Sequence, residues 1–274
     1  MIIDVIILTK NSMPDLVATV NSLVNSDIPL NKIIFVDGFS IDGTIDYIKS
    51  LQVPKEIIFD RGTRATARQK GIEAVETKWF MFLDSDVILP RKWYCYAKKY
   101  VGKRSVGAIW GTAINIDEND FYRYYTVKKL YKTSIVRIAQ LHGERRGYTH
   151  DTLIKKEAIE DIKIPRSLHT FEDHYIRRYV EERGYKWIAA FPPYCYHKHN
   201  YRGLFSGKND WLLTGFYGKE FGLYKFSSIF TYLTLGAAKA ILVSVFSGKI
   251  FSGILQYLIY LYLSTGIIKS ALVG

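Results

Sequence analysis

Four short apolar runs, at residues 2–8, 32–36, 56–59 and 79–83, alternate with segments of helical period at 15–25, 44–51 and 65–75. That alternation is the tightest constraint on the fold. Strands separated by helices of this length are joined by crossovers, and crossovers build a doubly wound α/β fold on a mostly parallel, Rossmann-like sheet. Ligands of such sheets bind beyond the carboxyl ends of the strands. The residues to weigh first are therefore those that follow each run: Thr9 and Asn11, then Asp37, then Asp60 and Arg61, then Asp84 and Asp86.

Further along, the reading predicts strands at 106–110, 186–190 and 194–199 and a basic, tyrosine-rich helix at 121–141. A helix at 172–183 closes on Gly184, a residue suited to the left-handed helix terminus. The start of the chain lacks a basic region before its apolar run and carries Asp4, so it reads as a buried strand rather than a secretory leader. Cys95 and Cys195 make no disulfide framework, which points to a reducing compartment. The formal charge of +12 favours anionic partners.

Composition shifts sharply near the end. From 226 to 274 there is no Asp, Glu or Arg, and lysine appears only at 239, 249 and 269. We divide the chain into residues 1–224 and a membrane-associated helical region at 225–274. The apolar segments 226–246 and 250–268 approach the roughly 20 residues that cross a bilayer core, so they are expected to insert as two closely spaced transmembrane helices. Lys239 is the objection, since a lysine at mid-membrane costs about 2.5–3.5 kcal/mol. The short turn at 247–249 leaves a re-entrant or interfacial hairpin as the alternative, and a helix pair buried against protein as a third.

Asp84-Ser85-Asp86 leaves the apolar run 79–83. Two carboxylates spaced i, i+2 at a strand end can share a hard divalent cation, Mg²⁺ or Mn²⁺, and such a cation neutralises a diphosphate leaving group. The structural alternative is a polar turn. Asp37 can meet a base or ribose, whereas Asp42 reads as a helix N-cap. Arg64 and Arg68 lie on the helix before the carboxylate pair, where a guanidinium can grip phosphate through two hydrogen bonds.

Taken in order, Leu8-Thr-Lys-Asn11, Val36-Asp-Gly-Phe-Ser-Ile-Asp-Gly-Thr44, Ala67-Arg-Gln-Lys-Gly-Ile72 and Phe82-Leu-Asp-Ser-Asp86 resemble the family 2 glycosyltransferases over about residues 1–200. The resemblance implies the GT-A fold and a nucleotide-diphosphate sugar as donor. Carried over residue by residue, it puts Thr9 and Asp37 on the nucleoside and Arg68 on the base or diphosphate. Asp84 then serves the ribose or the metal, and Asp86 is a metal ligand. Gly38 and Phe39 depart from the family's Asp and Gly, and Gln69 from its Asn.

The same resemblance makes Asp173 of Glu172-Asp173 the catalytic base that takes the acceptor's proton. Thr170-Phe-Glu-Asp173 is equally a capping box by composition. His197, within Cys195-Tyr-His-Lys-His199, is expected to complete the metal site; a zinc site from Cys195, His197 and His199 lacks a fourth ligand. The processive synthases' Gln-x-x-Arg-Trp is absent after 183, which implies transfer of single sugars. The expected function is inverting transfer to a glycan or lipid-linked acceptor, with the catalytic part on the cytoplasmic face of a membrane. A polyprenyl-phosphate sugar synthase is the near alternative. A basic nucleic-acid module is disfavoured, because paired carboxylates repel phosphate unless a metal intervenes. An inactive membrane-tethered scaffold is the third reading.

Overall fold

The computed structural model describes residues 1–115, 145–198, 207–247 and 250–273. The helix expected at 121–141 and the histidine at 199 lie outside them. Two compact units divide the described residues: one comprises 1–114, 145–168 and 172–198, the other 115, 169–171 and the described part of 199–274.

In the first unit, β1 (Ile3–Thr9), β2 (Leu30–Asp37), β3 (Lys55–Phe59) and β4 (Trp79–Leu83) alternate with α1 (Asp15–Val24), α2 (Thr44–Ser50) and α3 (Arg64–Glu73). These strands pair in parallel, with β1 between β2 and β4 and β2 beside β3. Every residue of β4 is buried, as expected of a strand covered on both faces. Ile3, Val5 and Ile7 join Leu16, Val20 and Leu23 of α1 in one core, each such side chain contributing about 1.5–3 kcal/mol on burial. Asp4, completely buried between them, accepts from the amides of Glu76 and Thr77 and from Asn31 Nδ2. Its charge is thus spent on closing the strand-start end of the sheet.

The second half of the sheet is not the mostly parallel one expected. It holds β5 (Val87–Ile88), β6 (Val106–Asn115), β7 (Asp151–Lys155) and β8 (Lys186–His197), in the overall order β3-β2-β1-β4-β7-β6-β8-β5. Strand β7 inserts beside β4 in antiparallel register, Leu83 opposite Asp151 and Phe80 opposite Ile154, and pairs on its other edge with β6. The sheet is therefore mixed. Strand β8 is continuous where two strands were expected, running through Pro192 and Pro193. Helices α4 (Trp93–Val101) and α5 (Glu172–Glu182) complete the unit.

The second unit contains α6 (Lys208–Glu220), α7 (Ser228–Ser247) and α8 (Ile250–Val273). Helices α6 and α8 cross at glycines: a Cβ on Gly215 would stand 2.1 Å from the Leu263 carbonyl oxygen, and one on Gly266 2.1 Å from that of Leu212. Only hydrogen fits there. The two apolar segments do form a helical pair, but the transmembrane expectation is corrected. Among the described residues no helix is long and apolar enough to cross a membrane. Lys239 with Ser and Thr residues interrupts α7, and Gln256, Ser264, Thr265 and Lys269 interrupt α8. Lys239 itself lies 5.9 Å from the centroid of the Tyr260 ring, a cation–π contact.

Candidate active site

The carboxyl ends of β1, β2 and β4 bring the expected residues to one edge of the first unit. Thr9 Oγ1 donates to Asp37 Oδ2 at 2.7 Å. Asp37 is fully buried and also accepts from the amide and hydroxyl of Ser40, each at 2.7 Å. Much of its capacity therefore goes into shaping the turn that follows β2. Asn11 and Phe39 both take positive φ, 51° and 62°, in this pair of interlocked loops. Asp42 accepts from Met13 and Thr44 amides, tying loop to loop, while Gly43 holds the cap position of α2. Where the family pattern has its second Asp, Gly38 leaves room for the Lys10 stem, which a Cβ would approach to 3.1 Å. Phe39 next to it lies 4.4 Å beneath the Arg61 guanidinium.

The Asp84–Asp86 turn is fastened from several sides. The Asp84 amide donates to the His150 carbonyl, Thr19 Oγ1 to the Ser85 carbonyl, and Ser12 Oγ to Ser85 Oγ. Val87 pairs with His197 across β5 and β8, which delivers His197 Nε2 to 3.1 Å from Asp86 Oδ1. One donor atom from each of Asp84, Asp86 and His197 lies within 4.8 Å of the others. Burial opposes the charged form of His197, but the hydrogen bond to Asp86 and the charges of Asp86, Asp84 and Asp151 outweigh it and hold the imidazole above its usual range. Two hard oxygen donors and one imidazole, with both carboxylates about a third exposed, fit a six-coordinate cation that keeps open positions.

Arg68 is buried rather than solvated. Its Nε donates to Glu172 Oε1 at 3.1 Å, its Nη2 lies 3.6 Å from Asp84 Oδ1, and its guanidinium covers the Phe82 ring. One arginine thus links the strand-end carboxylates to the start of α5. That helix begins at Glu172, after Phe171 at φ 71°, so Asp173 is its second residue and not the third that a capping box requires. Asp173 Oδ1 instead takes an ion pair from Arg146 Nη1. Burial, followed by the charge of Asp173, raises the Glu172 carboxyl against the pull of Arg68 and Arg64. His174 Nδ1 lies 2.9 Å from the Arg146 carbonyl oxygen. Burial drives its pKa down to about 4, so the ring is neutral at physiological pH with the proton on Nδ1.

His150, Asp151 and His174 were not singled out from the sequence, and Arg146 was read only as the end of a basic, tyrosine-rich stretch from 123, either a solvated face or a contact to an anionic lipid-linked acceptor. Arg146 and His150 sit in a segment without period, and Asp151 opens a strand with only two apolar residues. A buried cation beside an expected base has no local signal.

The chain matches glycosyl transferase family 2 over residues 4–163. No curated protein matches it by sequence. Among solved structures, the mannosyltransferase PcManGT from Pyrobaculum calidifontis, in complex with GDP-Man and Mn²⁺, is similar at 15% identity with a TM-score of 0.67. The likeness covers 98% of this chain and 86% of that one. TarS 1–349 from S. aureus is similar at 15% identity and a TM-score of 0.58, over 77% of this chain and 62% of that one. Its complex with UDP-GlcNAc gives 14% identity, a TM-score of 0.58, and coverage of 78% and 66%. This chain thus spans less than two thirds of the TarS structures, and at such identities the likeness concerns the fold, which is GT-A. Because the family match takes in more than half of the chain and every strand-end residue from Thr9 to Asp86, the protein belongs to glycosyl transferase family 2.

Proposed function

We propose that the protein is an inverting, metal-dependent glycosyltransferase that moves one sugar from a nucleoside-diphosphate donor to a glycan or lipid-linked acceptor. One observation carries the reading: Arg68 joins two acidic pairs, Asp84–Asp86 and Glu172–Asp173, along a single edge of the sheet. Thr9 and Asp37 line the nucleoside end. Asp84, Asp86 and His197 would hold Mg²⁺ or Mn²⁺, which supplies charge neutralisation for the diphosphate when bound. The presence of Mn²⁺ with GDP-Man in the similar mannosyltransferase supports that choice. Arg68 keeps a fixed positive charge beside the departing group, and Asp173 takes the acceptor's proton as the oxygen attacks. A panel of nucleoside diphosphates and nucleotide sugars, with and without Mn²⁺, tests this by thermal shift, since a ligand of the native state raises its melting temperature. Metal-dependent stabilisation by at least one of them is expected; none from any member would overturn the reading.

A second reading rests on the Arg146–Asp173 pair. An acceptor that is already an ionised phosphate meets a guanidinium there and needs no proton removed, as in a polyprenyl-phosphate sugar synthase.

We further propose that the helical region rests on the surface of a membrane, with the catalytic part on the cytoplasmic side. Phe230, Leu235, Ile241, Val245 and Ile250 are largely exposed on α7 and α8, and no acidic residue accompanies them from 226 onward. Apolar side chains among lysines suit an anionic interface. Flotation with anionic vesicles is expected to carry the protein upward, and a protein that stays at the bottom of the gradient would refute surface binding.

A further inference from the structure

Behind the cation cluster lies a polar group that the proposed reaction does not use. Asp151, the first residue of β7, is completely buried. Its Oδ2 accepts from Trp93 Nε1 at 2.8 Å. Its Oδ1 lies 2.7 Å from His150 Nδ1 yet makes no well-aligned hydrogen bond among the described residues. No lysine or arginine pairs with it there. The seat is nonetheless built for a carboxylate: a Cβ on Gly111 would fall 2.0 Å from Asp151 Oδ2 and 3.0 Å from Trp93 Nε1, so β6 carries glycine where the acid and the indole meet.

Could the seat hold a metal itself? His150 Nδ1, Asp151 and Cys195 Sγ lie within 4.8 Å of one another. Trp110 Nε1 donates to His150 Nε2 at 3.0 Å, however, so the Nε2 lone pair is taken and the ring proton sits on Nδ1, directed at Cys195 Sγ at 3.6 Å. A protonated Nδ1 is no ligand.

A carboxyl group buried with no lysine or arginine beside it among the described residues is costly, and structures retain one where something nearby repays it. The cation cluster is joined to it through His150. His150 immediately precedes Asp151, its carbonyl accepts the Asp84 amide, and its ring centroid lies 5.4 Å from that of His197. We propose that Asp151 is a positioning residue for the divalent cation: a buried countercharge that strengthens binding at Asp84, Asp86 and His197 without touching the ion. The inference rests on the metal-dependent reading of that cluster. It also accounts for Trp93, Trp110 and Gly111, which together hold one carboxylate and one imidazole in place.

The test is Mn²⁺ binding to the full chain, followed by loss of the free-ion signal in electron paramagnetic resonance, with folding checked by circular dichroism. Asp151→Asn, or Asp151→Ser if the amide disrupts folding, should weaken Mn²⁺ binding by about tenfold or more, the usual scale for groups behind a metal's ligands. Trp93→Phe removes a hydrogen bond but leaves the charge, so it should lower the melting temperature while Mn²⁺ affinity stays within about twofold of wild type by the same comparison. A folded Asp151→Asn protein that binds Mn²⁺ like wild type overturns the inference alone. If wild type binds no Mn²⁺, the metal reading falls and takes the inference with it. If neither neutral variant folds, with or without Mn²⁺, Asp151 is a structural residue and the inference is likewise overturned.

Discussion

The first unit holds two acidic pairs of the same charge in opposite circumstances. Asp84 and Asp86 leave a strand, are about a third exposed, and face a histidine and one arginine at 3.6 Å. Glu172 and Asp173 open a helix, are nearly buried, and each carries an arginine at ion-pair distance, Arg68 on one and Arg146 on the other. The second pair is neutralised by the protein. The first faces, among the described residues, one guanidinium and one imidazole and keeps about a third of its side-chain surface in water, which leaves room for a divalent cation. Residue type therefore says little about role here; the water each carboxylate keeps separates the proposed metal site from the proposed base.

That contrast breaks most readily at the exposed pair. Asp86→Ala removes a proposed cation ligand and the partner of His197 together. Turnover should fall on the order of a thousandfold or more, because a bound cation contributes several kcal/mol to the leaving group. Thermal shift by nucleotide should lose its dependence on Mn²⁺, while the melting temperature without ligand changes little. A mutant that still shows the metal-dependent shift would place the cation elsewhere.

The buried pair gives a smaller effect, and one that sorts the acceptors. Asp173→Asn keeps the size of the side chain and an oxygen for Arg146 but removes basicity. Initial rates with a hydroxyl acceptor should drop by about a hundredfold, the scale of losing a general base, with donor affinity unchanged. With an ionised phosphate acceptor, which has no proton to give up, the same variant should stay within a few-fold of wild type; a hydroxyl acceptor turned over as fast as by wild type would remove Asp173 as its base.

The two pairs also differ in how far they could be read from the chain alone. Asp84 and Asp86 follow five apolar residues in a row, so both the strand and its exit were legible, as were β1 to β4 and α1 to α3 with boundaries close to those observed. Local period and strand-end position carried that information. Asp173 was legible only through family resemblance, and its pairing with Arg146 not at all, since nothing near 146 in the sequence reports what lies across from it. The antiparallel β7 escaped for a related reason: Asp151-Thr-Leu-Ile-Lys155 has too short an apolar run to announce a strand, and its place beside β4 is a long-range pairing. Helices α4 and α6 were missed as well. Tyrosine and lysine blur the period of α4, and the glycines of α6 that suppress a helical reading are the ones its packing against α8 requires.

The finest difference between the pairs lies in their histidines. His197 beside the exposed pair is drawn toward its charged form, whereas His174 beside the buried pair is kept from it, with a pKa of about 4. Burial is the main cause for His174, and the charges of Arg146 and Arg177 add to it, while its bond to the Arg146 carbonyl and the charge of Asp173 work the other way. A histidine in the unfolded chain takes up its proton near pH 6.5, so between pH 6.5 and 4 the unfolded state binds more protons than the folded one. Stability tied to His174 is thus complete above pH 6.5 and is lost as the pH falls toward 4. Between pH 7 and 5.5 the loss should amount to about 1 kcal/mol. His174→Asn places an amide nitrogen near the Nδ1 position, so it can keep the bond to the Arg146 carbonyl while carrying no titrating group. Urea unfolding of both proteins at pH 7 and 5.5 isolates the effect, because Glu172 and the other carboxyls titrate in each and cancel in the difference. Wild type should lose about 1 kcal/mol more than the variant over that interval. Equal losses would mean that His174 accepts a proton in the folded protein as readily as in the unfolded chain, and that its burial does not govern its charge.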